Sequence, residues 1–280
     1  MRHEDALASF DRSLAVQPDS ADVLDYRGLT LYALKRYDDA VASFGRALAI
    51  QPRSVELLSH RGIALHQLRR YEDALASFDR ALAVQPDSPA LLINRGPALQ
   101  ELTRLPEALA SYDRALALSP DTPEGHYNRG NTLDLLRRYD DARASYERAL
   151  ALRPDYRWAF GSWLLDKLRV CDWTRLSAAF ERLAADIDAE KQVAAPFPIT
   201  ATPLTLLQQR KCAEIYVQVM YPAGSSVLVP MVKAPGARIR VGYFSADFCD
   251  HPVAHLTAGL FERHDRNKFE VIAFSFGPPV

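Results

Sequence analysis

Residues 55–88 read VELLSHRGIALHQLRRYEDALASFDRALAVQPDS, and this unit of 34 residues decides the fold. The unit occurs four times between Ala21 and Tyr156 with no insertion or deletion. Five positions define it, and in the quoted stretch they hold a glycine, two alanines, an aromatic residue and a proline: Gly62, Ala74, Phe78, Ala81 and Pro86. A fixed period of this length predicts a row of equivalent structural units.

The sizes of these side chains predict a helix hairpin. Gly62 and Ala74 let two helices approach closely, Phe78 fills the space beside them, and Ala81 admits the next hairpin. Each hairpin exposes an apolar face that only a neighbour can cover, so the hairpins stack into a solenoid. The pattern resembles the tetratricopeptide repeat, which implies a mostly α, right-handed superhelix of antiparallel helix pairs. The full repeats are predicted at residues 21–54, 55–88, 89–122 and 123–156.

The first residues keep the same register. Ala6, Phe10 and Pro18 fall on the alanine, aromatic and proline positions. Residues 1–20 are therefore predicted to be the second half of a repeat, and 1–156 to be one repeat domain. A lone second helix leaves an apolar flank uncovered, so we expect that the natural chain begins earlier.

The register ends after Tyr156, because Leu164 and Leu176 stand where small residues are required. Residues 157–222 keep helical periodicity and are predicted to be capping and transition helices, the last over Leu204–Val219. Three prolines predict an extended connection at Ala194–Pro203. Pro97 lies inside a predicted first helix, where it removes a hydrogen bond and predicts a kink.

The pattern changes again in residues 223–280. Arg238–Phe244 and Phe269–Phe276 are β-branched and aromatic runs that predict strands, and Val253–Arg263 between them is helical in pattern. Strand, helix and strand at this spacing predict a βαβ unit with parallel strands. Two parallel strands cannot cover their own faces, so we expect the natural chain to continue beyond Val280.

Composition excludes several classes of protein. The formal charge of −1 argues against a nucleic-acid binder that works by neutralising phosphates. The three cysteines lie far apart without metal-ligand spacing, which is typical of reduced thiols in a cytoplasmic protein. The chain shows neither an apolar run of membrane-spanning length nor a signal peptide, so no membrane partner and no metal are expected.

Two positions of the repeat carry candidate binding residues. The sixth position lies on the first helix, which lines the concave surface of such solenoids, and it holds Tyr26, His60, Asn94 and Asn128. An amide there can both donate to and accept from an extended peptide backbone. The seventh position holds Arg27, Arg61, Arg95 and Arg129. These arginines either form a groove for an anionic ligand or pair with second-helix acids such as Asp79, and pairing is favoured on general grounds.

The loop Ser245–Pro252 follows the first predicted strand at its carboxyl end, where open α/β sheets usually bind ligands. His251 precedes Pro252, a residue suited to a helix start, so the imidazole is expected beside a helix N-terminus that favours phosphate. His251 then accepts a proton, contacts a phosphate oxygen or is an ordinary loop histidine. His255 lies about one turn into the helix and is expected to pack internally.

Several motifs in this order resemble the O-linked N-acetylglucosamine (O-GlcNAc) transferases. They are VCDWT at 170–174 after the repeats, RVGY at 240–243, Asp247-Phe248, the HPxxHL run at 251–256 and KFEV at 268–271. The resemblance implies that 223–280 opens the amino-terminal, Rossmann-like catalytic lobe. It also implies transfer of N-acetylglucosamine from UDP-N-acetylglucosamine, as co-substrate without further cofactor, to Ser or Thr of intracellular proteins.

The same resemblance assigns residues. His251 matches a histidine that lines the active site as a candidate general base, and Asn94 and Asn128 match an asparagine ladder that holds substrate backbone. Tyr26 and His60 depart from that ladder. The second lobe, which supplies most UDP contacts, is absent from these residues, so this chain alone is expected to be inactive. The alternative is an interaction module that binds peptides without catalysis.

Overall fold

The computed structural model describes residues 2–221, 238–245 and 263–275. Within these ranges the chain forms, in order, α1 Arg2–Val16, α2 Ala21–Ala33, α3 Tyr37–Ile50, α4 Val55–Gln67, α5 Tyr71–Val84, α6 Pro89–Glu101, α7 Leu105–Leu118, α8 Pro123–Leu135, α9 Tyr139–Leu152, α10 Ala159–Arg169, α11 Leu176–Asp188, α12 Pro196–Ile199, α13 Leu206–Met220, β1 Ile239–Ser245 and β2 Phe269–Ser275. The mostly α architecture predicted from the repeat is confirmed. The chain divides into two compact units, Met1–Pro222 and Ala223–Val280.

Helices α2 to α9 form four successive hairpins. The two helices of each hairpin pack together, the second helix packs on the first helix of the next hairpin, and α1 packs on α2. The first helices α2, α4, α6 and α8 also contact one another in order. This is the stacking that the repeated small residues predict. Helix α6 continues through Pro97 as a single helix.

The repeated aromatic ring is the centre of each hairpin. Phe78 is 1% exposed, and its equivalents Phe44, Tyr112 and Tyr146 are equally buried. A Cβ atom added to Gly62 would lie 2.7 Å from the Phe78 ring, closer than carbon atoms can approach. Glycine is therefore required where the first helix crosses the ring.

Each first helix ends in a left-handed residue. Lys35, Arg69, Thr103 and Arg137 have φ of 60°, 58°, 57° and 58°. The backbone amide of the next residue caps the C-terminus of the helix. In the second repeat, for example, the Arg70 amide donates to the Leu65 carbonyl at 3.0 Å. This arrangement satisfies a carbonyl that the helix leaves without a donor.

The expectation of an extended connection at Ala194–Pro203 is wrong in part. Residues 196–199 form the short helix α12, and Val193, Ala194 and Ile199 are at most 4% exposed. They pack with Phe160 of α10 and Leu183 of α11 in one apolar cluster. The prolines predict an extended chain, but the apolar residues around them pack into the core and fold the segment against α10 and α11.

The segment that precedes α12 also caps the N-terminus of α10. The Trp158 amide donates to the Gln192 carbonyl and the Gly161 amide to the Val193 carbonyl, both at 2.8 Å. Amides at the N-terminus of a helix have no partner inside the helix, so these carbonyls supply the missing acceptors. The N-terminus of helix α13 is capped by local side chains, since Thr205 and Gln208 form a capping box.

In the second unit β1 and β2 pair in parallel. The register runs from Ile239 beside Phe269 to Ser245 beside Ser275. Parallel neighbours require a crossover connection, as the sequence predicted. The predicted crossover helix Val253–Arg263 falls largely outside the described residues. No described helix has both the length and the apolar character needed to cross a lipid bilayer.

Candidate functional site

Asn94 on α6 and Asn128 on α8 each line a cavity of the repeat unit. Both side chains are partly exposed. Within the described part of the chain neither side-chain amide has a hydrogen-bond partner. A free amide in a concave site offers one acceptor and two donors to a ligand.

The cavity at Asn128 has a volume of about 570 Å³ and mixes aromatic and charged groups. Tyr127, Tyr156 and Trp158 give it apolar walls, and the rings of Tyr127 and Tyr156 lie 5.1 Å apart. Arg153 lies over the Tyr156 ring, with its guanidinium carbon 5.5 Å from the ring centre. Aromatic walls beside hydrogen-bonding groups are typical of sites that accept peptide side chains.

Burial raises the pKa of Tyr156 to about 12, and the nearby negative charge of Glu124 adds to the shift. The Tyr156 hydroxyl therefore keeps its proton throughout the physiological range. It can donate a hydrogen bond to a ligand in the cavity but cannot act as a base there.

The cavity at Asn94 is smaller, about 210 Å³, and is lined by His66 and Pro97 among others. The Nε2 atom of His66 is buried and has no hydrogen-bond partner among the described residues. Burial lowers the pKa of His66, against the opposing charge of Glu101, so the ring is neutral at pH 7. Pro97 has no amide hydrogen, so the Ile93 carbonyl at this cavity lacks its usual helical donor.

Glu124 lines both cavities and therefore joins them. It stands at the start of α8, where its carboxylate is exposed. We call the surface formed by Asn94, Asn128 and Glu124 the amide surface. Its polar groups lie on the first helices of the third and fourth repeats.

The equivalent positions in the first two repeats are already occupied. The Nδ1 atom of His60 lies 2.8 Å from Oδ1 of Asp25, and both side chains are partly buried. Tyr26 stacks on Phe10 with ring centres 6.2 Å apart. These side chains contact the solenoid itself, in contrast to the two asparagines.

The arginines of the seventh position mostly pair within the solenoid, as the sequence favoured. Nε of Arg95 lies 2.6 Å from Asp79, and the same contact joins Arg129 to Asp113 at 2.6 Å and Arg27 to Asp11 at 2.7 Å. Arg61 departs from this pattern. Its Nε is buried without a hydrogen-bond partner in the described residues.

The VCDW motif forms the turn after α10. Asp172 accepts hydrogen bonds from the hydroxyl and backbone amide of Thr174, and its carboxylate lies 2.7 Å from Lys167 and 2.8 Å from Arg143. These contacts, that of Lys167 first, hold the pKa of Asp172 well below its ordinary value. Trp173 is 64% exposed. In this unit the motif anchors the turn.

A second acid lies at the contact between α8 and α10. Asp166 is 1% exposed and accepts a hydrogen bond from Arg169 at 3.1 Å, and Arg169 also pairs with Asp134 of α8. Burial raises the pKa of Asp166, and the charge of Asp134 raises it further. Its Oδ2 atom is buried with no partner in the described residues.

The predicted residues of the catalytic loop, His251 and His255, lie outside the described residues, so their roles stay predictions. Sequence reasoning missed Glu124, Tyr156 and Trp158. Trp158 falls in the predicted helical segment 157–222, yet it precedes α10 with a left-handed φ of 67° and lines the cavity at Asn128. The pair of aromatic residues at the end of the last repeat was the available signal.

Comparison with protein families identifies the class of the first unit. The family profile described as "Tetratricopeptide repeat" matches residues 2–55, 27–89, 59–99 and 93–157, together more than half of the chain. The chain belongs to the tetratricopeptide-repeat family. The profile "Glycosyl transferase family 41" matches residues 217–279, which include both strands.

The relatives with curated descriptions support the resemblance to O-GlcNAc transferases drawn from the sequence. The chain is 38% identical over 56 residues to a probable UDP-N-acetylglucosamine–peptide N-acetylglucosaminyltransferase, SEC, of Arabidopsis thaliana. It is 42% identical over 40 residues to the UDP-N-acetylglucosamine–peptide N-acetylglucosaminyltransferase of Caenorhabditis elegans. These matches cover 20% and 14% of this chain but 5% and 4% of the relatives.

Solved structures support the repeat fold. PilW, a type IV pilus biogenesis factor, superposes with a TM-score of 0.61 at 23% identity, over 66% of this chain and 86% of its own. YrrB, described as a TPR protein with an unusual peptide-binding site, gives 0.52 at 16% identity, over 72% of this chain and 96% of its own. At such low identity these likenesses concern the fold alone.

Proposed function

We propose that this chain belongs to a protein O-glycosyltransferase that transfers N-acetylglucosamine from UDP-N-acetylglucosamine to Ser or Thr hydroxyls of cytoplasmic proteins. The observation that carries the proposal is one continuous chain with tetratricopeptide repeats at residues 2–157 and a family 41 match at 217–279. The first part is suited to hold proteins, and the second part matches a glycosyltransferase family.

The repeats recruit the acceptor protein through the amide surface. Asn94 and Asn128 each present an unpaired amide beside a cavity, and an extended backbone repeats its own amide and carbonyl groups at short intervals. The aromatic walls at Tyr127 and Tyr156 accept side chains of the same peptide. Sequence-tolerant backbone contacts suit an enzyme that modifies many different proteins.

The family 41 region supplies one wall of the sugar-nucleotide site. Parallel strands β1 and β2 place the loop after β1 at their carboxyl edge, where open α/β sheets bind nucleotides. His251 in that loop acts on the donor or the acceptor hydroxyl as a base or a phosphate contact. Reaction also needs groups on the opposite side of the sugar, because positioning and charge stabilisation depend on a closed site.

The alternative function is a peptide-binding module without catalysis. It is favoured by the small share of the chain, residues 217–279, that matches family 41. Both functions use the amide surface, so peptide binding alone does not separate them. Catalysis does.

The separating experiment incubates the 280-residue chain, and a parent protein with a complete catalytic region, with UDP-N-acetylglucosamine and acceptor proteins. We expect transfer by the parent and none above background by this chain. In the parent, His251→Ala should lower turnover by roughly a hundredfold, as expected for loss of an acid–base or charge-stabilising group. His255→Ala is the matched control and should mainly lower the melting temperature. A folded His251→Ala enzyme with normal turnover would contradict the assignment.

A further inference from the structure

Three of the four full repeats contribute an arginine to the same ion pair, in which the arginine side chain is largely buried and the aspartate is about half exposed. The arginine of a first helix donates through Nε to an aspartate 16 residues earlier, on the second helix of the preceding repeat. Arg95 and Arg129 make a second contact, from Nη1 to Ser111 and Ser145 at 2.7 Å. The scaffold therefore holds a guanidinium in position to grip one carboxylate per repeat.

The second repeat has the arginine without the carboxylate. The position 16 residues before Arg61 is Gly45, whereas the same position before the three paired arginines holds Asp11, Asp79 and Asp113. The Nε atom of Arg61 is buried and without a hydrogen-bond partner in the described residues. Ser77, the counterpart of Ser111, donates to the Asp73 carbonyl as Ser145 does to that of Asp141, but within the described residues it accepts no hydrogen bond from Arg61. A buried guanidinium N–H without a partner is unfavourable, and a carboxylate from outside would remove that penalty.

The place of the missing carboxylate is open. A Cβ atom built on Gly45 meets no atom within 4 Å. One repeat later the same location is a cavity of about 370 Å³ that contains Asp79 and Arg95. The residues that line this cavity lie on α5, α6 and α7, so the 34-residue register assigns the equivalent groove one repeat earlier to α3, α4 and α5. It is formed by a different residue set from the amide surface.

A second acidic position has changed in the same repeat. The residue after the conserved proline is Asp in the other units, where Asp87 pairs with Arg114 and Asp121 with Arg148 at 2.7 Å. In the first full repeat, which also contains Gly45, this residue is Arg53, which is exposed. Relative to the other units, two acidic side chains are thus replaced by a glycine and an arginine.

Two other charged residues belong to this groove by the repeat register, Arg80 and Asp73. Arg80, the counterpart of Arg114, donates to the Pro52 carbonyl at 3.2 Å, which leaves its charge uncompensated. Asp73, the counterpart of the cavity residue Glu107, pairs with Arg70 at 2.6 Å. The groove therefore carries excess positive charge from Arg61 and Arg80, and Arg53 adds a third positive charge next to Pro52, whose carbonyl Arg80 contacts.

We propose that the groove formed by Gly45, Arg61 and Arg80 is a carboxylate-binding site that accepts the Asp or Glu side chain of a partner protein. The ligand takes the place of the aspartate side chain that Gly45 lacks and pairs with the guanidinium group of Arg61, a residue that is partly exposed. Arg53 and Arg80 attract neighbouring acidic residues of the same segment, so an acidic peptide fits better than a single small anion. Binding falls with ionic strength because exposed arginines contribute to it.

The experiment measures binding of a fluorescent peptide with a central run of glutamates to the 280-residue chain. A glutamine peptide of the same length tests the need for charge, and sodium acetate tests a free carboxylate. Gly45→Asp supplies the missing carboxylate from within and should weaken glutamate-peptide binding by roughly tenfold or more, as expected for loss of a charge-assisted contact. Gly45→Ala is the matched control, because it fills little space and leaves Arg61 unpaired.

Asp79→Ala provides a test in the opposite direction, since it frees Arg95 in the next repeat. This variant should bind a second equivalent of the glutamate peptide. Melting temperatures of all variants exclude unfolding as the cause. Tighter binding of the glutamate peptide than of acetate assigns the site to a protein side chain, and equal binding per carboxylate assigns it to a free anion. Equal binding by the glutamine peptide, or by Gly45→Asp and Gly45→Ala, would overturn the proposal.

Discussion

The first two repeats and the last two share one scaffold but differ in the side chains at the sixth position. In the N-terminal pair these side chains have partners within the solenoid, His60 with Asp25 and Tyr26 with Phe10. In the C-terminal pair Asn94 and Asn128 stand free beside cavities. The glycine, alanine and aromatic positions are buried throughout because they close each hairpin.

The difference teaches that periodicity fixes the scaffold and leaves the surface free to vary. A position that does not enter a hairpin core can hold tyrosine, histidine or asparagine at little cost in stability. Binding capacity is therefore distributed unevenly along the solenoid. The C-terminal repeats, nearer in sequence to the family 41 region, carry the groups suited to a peptide.

The largest expected effect concerns peptide binding. Replacing Asn94 and Asn128 together by alanine should weaken binding of an extended acceptor peptide by about 2 kcal/mol, or roughly thirtyfold, because each amide contact contributes about 1 kcal/mol. Calorimetric titration of the 280-residue chain measures this loss.

The matched double variant Tyr26→Ala with His60→Ala sharpens the comparison. Since both side chains contact the solenoid, this variant should lose thermal stability but keep peptide affinity. Asn131→Ala serves as an asparagine control, because the Asn131 amide already accepts a hydrogen bond from Tyr146 at 2.9 Å. Equal losses of affinity in both double variants would remove the distinction between the two halves.

A smaller effect is expected at the C-terminal end, where Asp166 is buried. Its pKa is raised in the folded protein, so folding takes up a proton there, and the contribution of Asp166 to stability is present in acid and lost as pH rises toward neutrality. Asp166→Asn removes the buried charge and should stabilise the protein by about 1.5 kcal/mol at pH 8.

Urea unfolding at pH 8 and near pH 4.5 measures this difference. The gain of Asp166→Asn over the original protein should shrink at the lower pH, where the aspartate is itself protonated in the folded state. The exposed Asp140→Asn is the control and should show little change at either pH. A constant gain across the range would mean that packing, not protonation, causes it.

The smallest expected effect concerns the left-handed residues that end the first helices of the four repeats. Thr103 is β-branched and has a left-handed φ of 57°, whereas the other three turns use lysine or arginine. Thr103→Gly should raise the free energy of unfolding by about 1 kcal/mol, because glycine adopts this conformation without strain. Lys35→Gly should give a smaller gain. Equal gains in thermal denaturation would show that branching does not matter at this turn.

The hairpin core and most arginine pairs were predictable because their causes recur at fixed spacing. Gly62 against Phe78 and Arg95 with Asp79 follow from which residues the 34-residue register places on facing helices. Because the unit repeats, a contact between residues far apart in sequence is visible as two positions that recur at a fixed spacing. For such contacts one sequence contains several examples, four of the glycine against the aromatic ring and three of the arginine–aspartate pair.

The parts that the sequence did not predict depend on contacts made once. Nothing in the period indicates that Val193 and Ala194 pack against α10, since their partners lie about 30 residues away in a unique segment. The sequence register ends after Tyr156, yet two repeat contacts persist beyond it. Trp163 donates to Glu147 at 2.9 Å where arginine stood before, and Arg182 donates to the Pro154 carbonyl as Arg80 does to that of Pro52.

The amide surface was half predictable. Asn94 and Asn128 follow from the register, but Glu124 and Trp158 enter the cavities through chain geometry at a helix start and at the end of the last repeat. A left-handed residue such as Trp158 is not indicated by its own sequence context. His251 is predicted by motif and loop position, and it stays a prediction.

The closure of α10 by residues 192 and 193 sets an order of events at the ribosome. Every earlier hairpin can pack on a helix that has already left the exit tunnel, since its partners precede it in the chain. Helix α10 receives the acceptors for its first amides from carbonyls that are synthesised more than 30 residues later. The repeats can therefore form one by one during translation, whereas α10, which packs on α9, gains the acceptors for its first amides only when the segment after α11 has emerged.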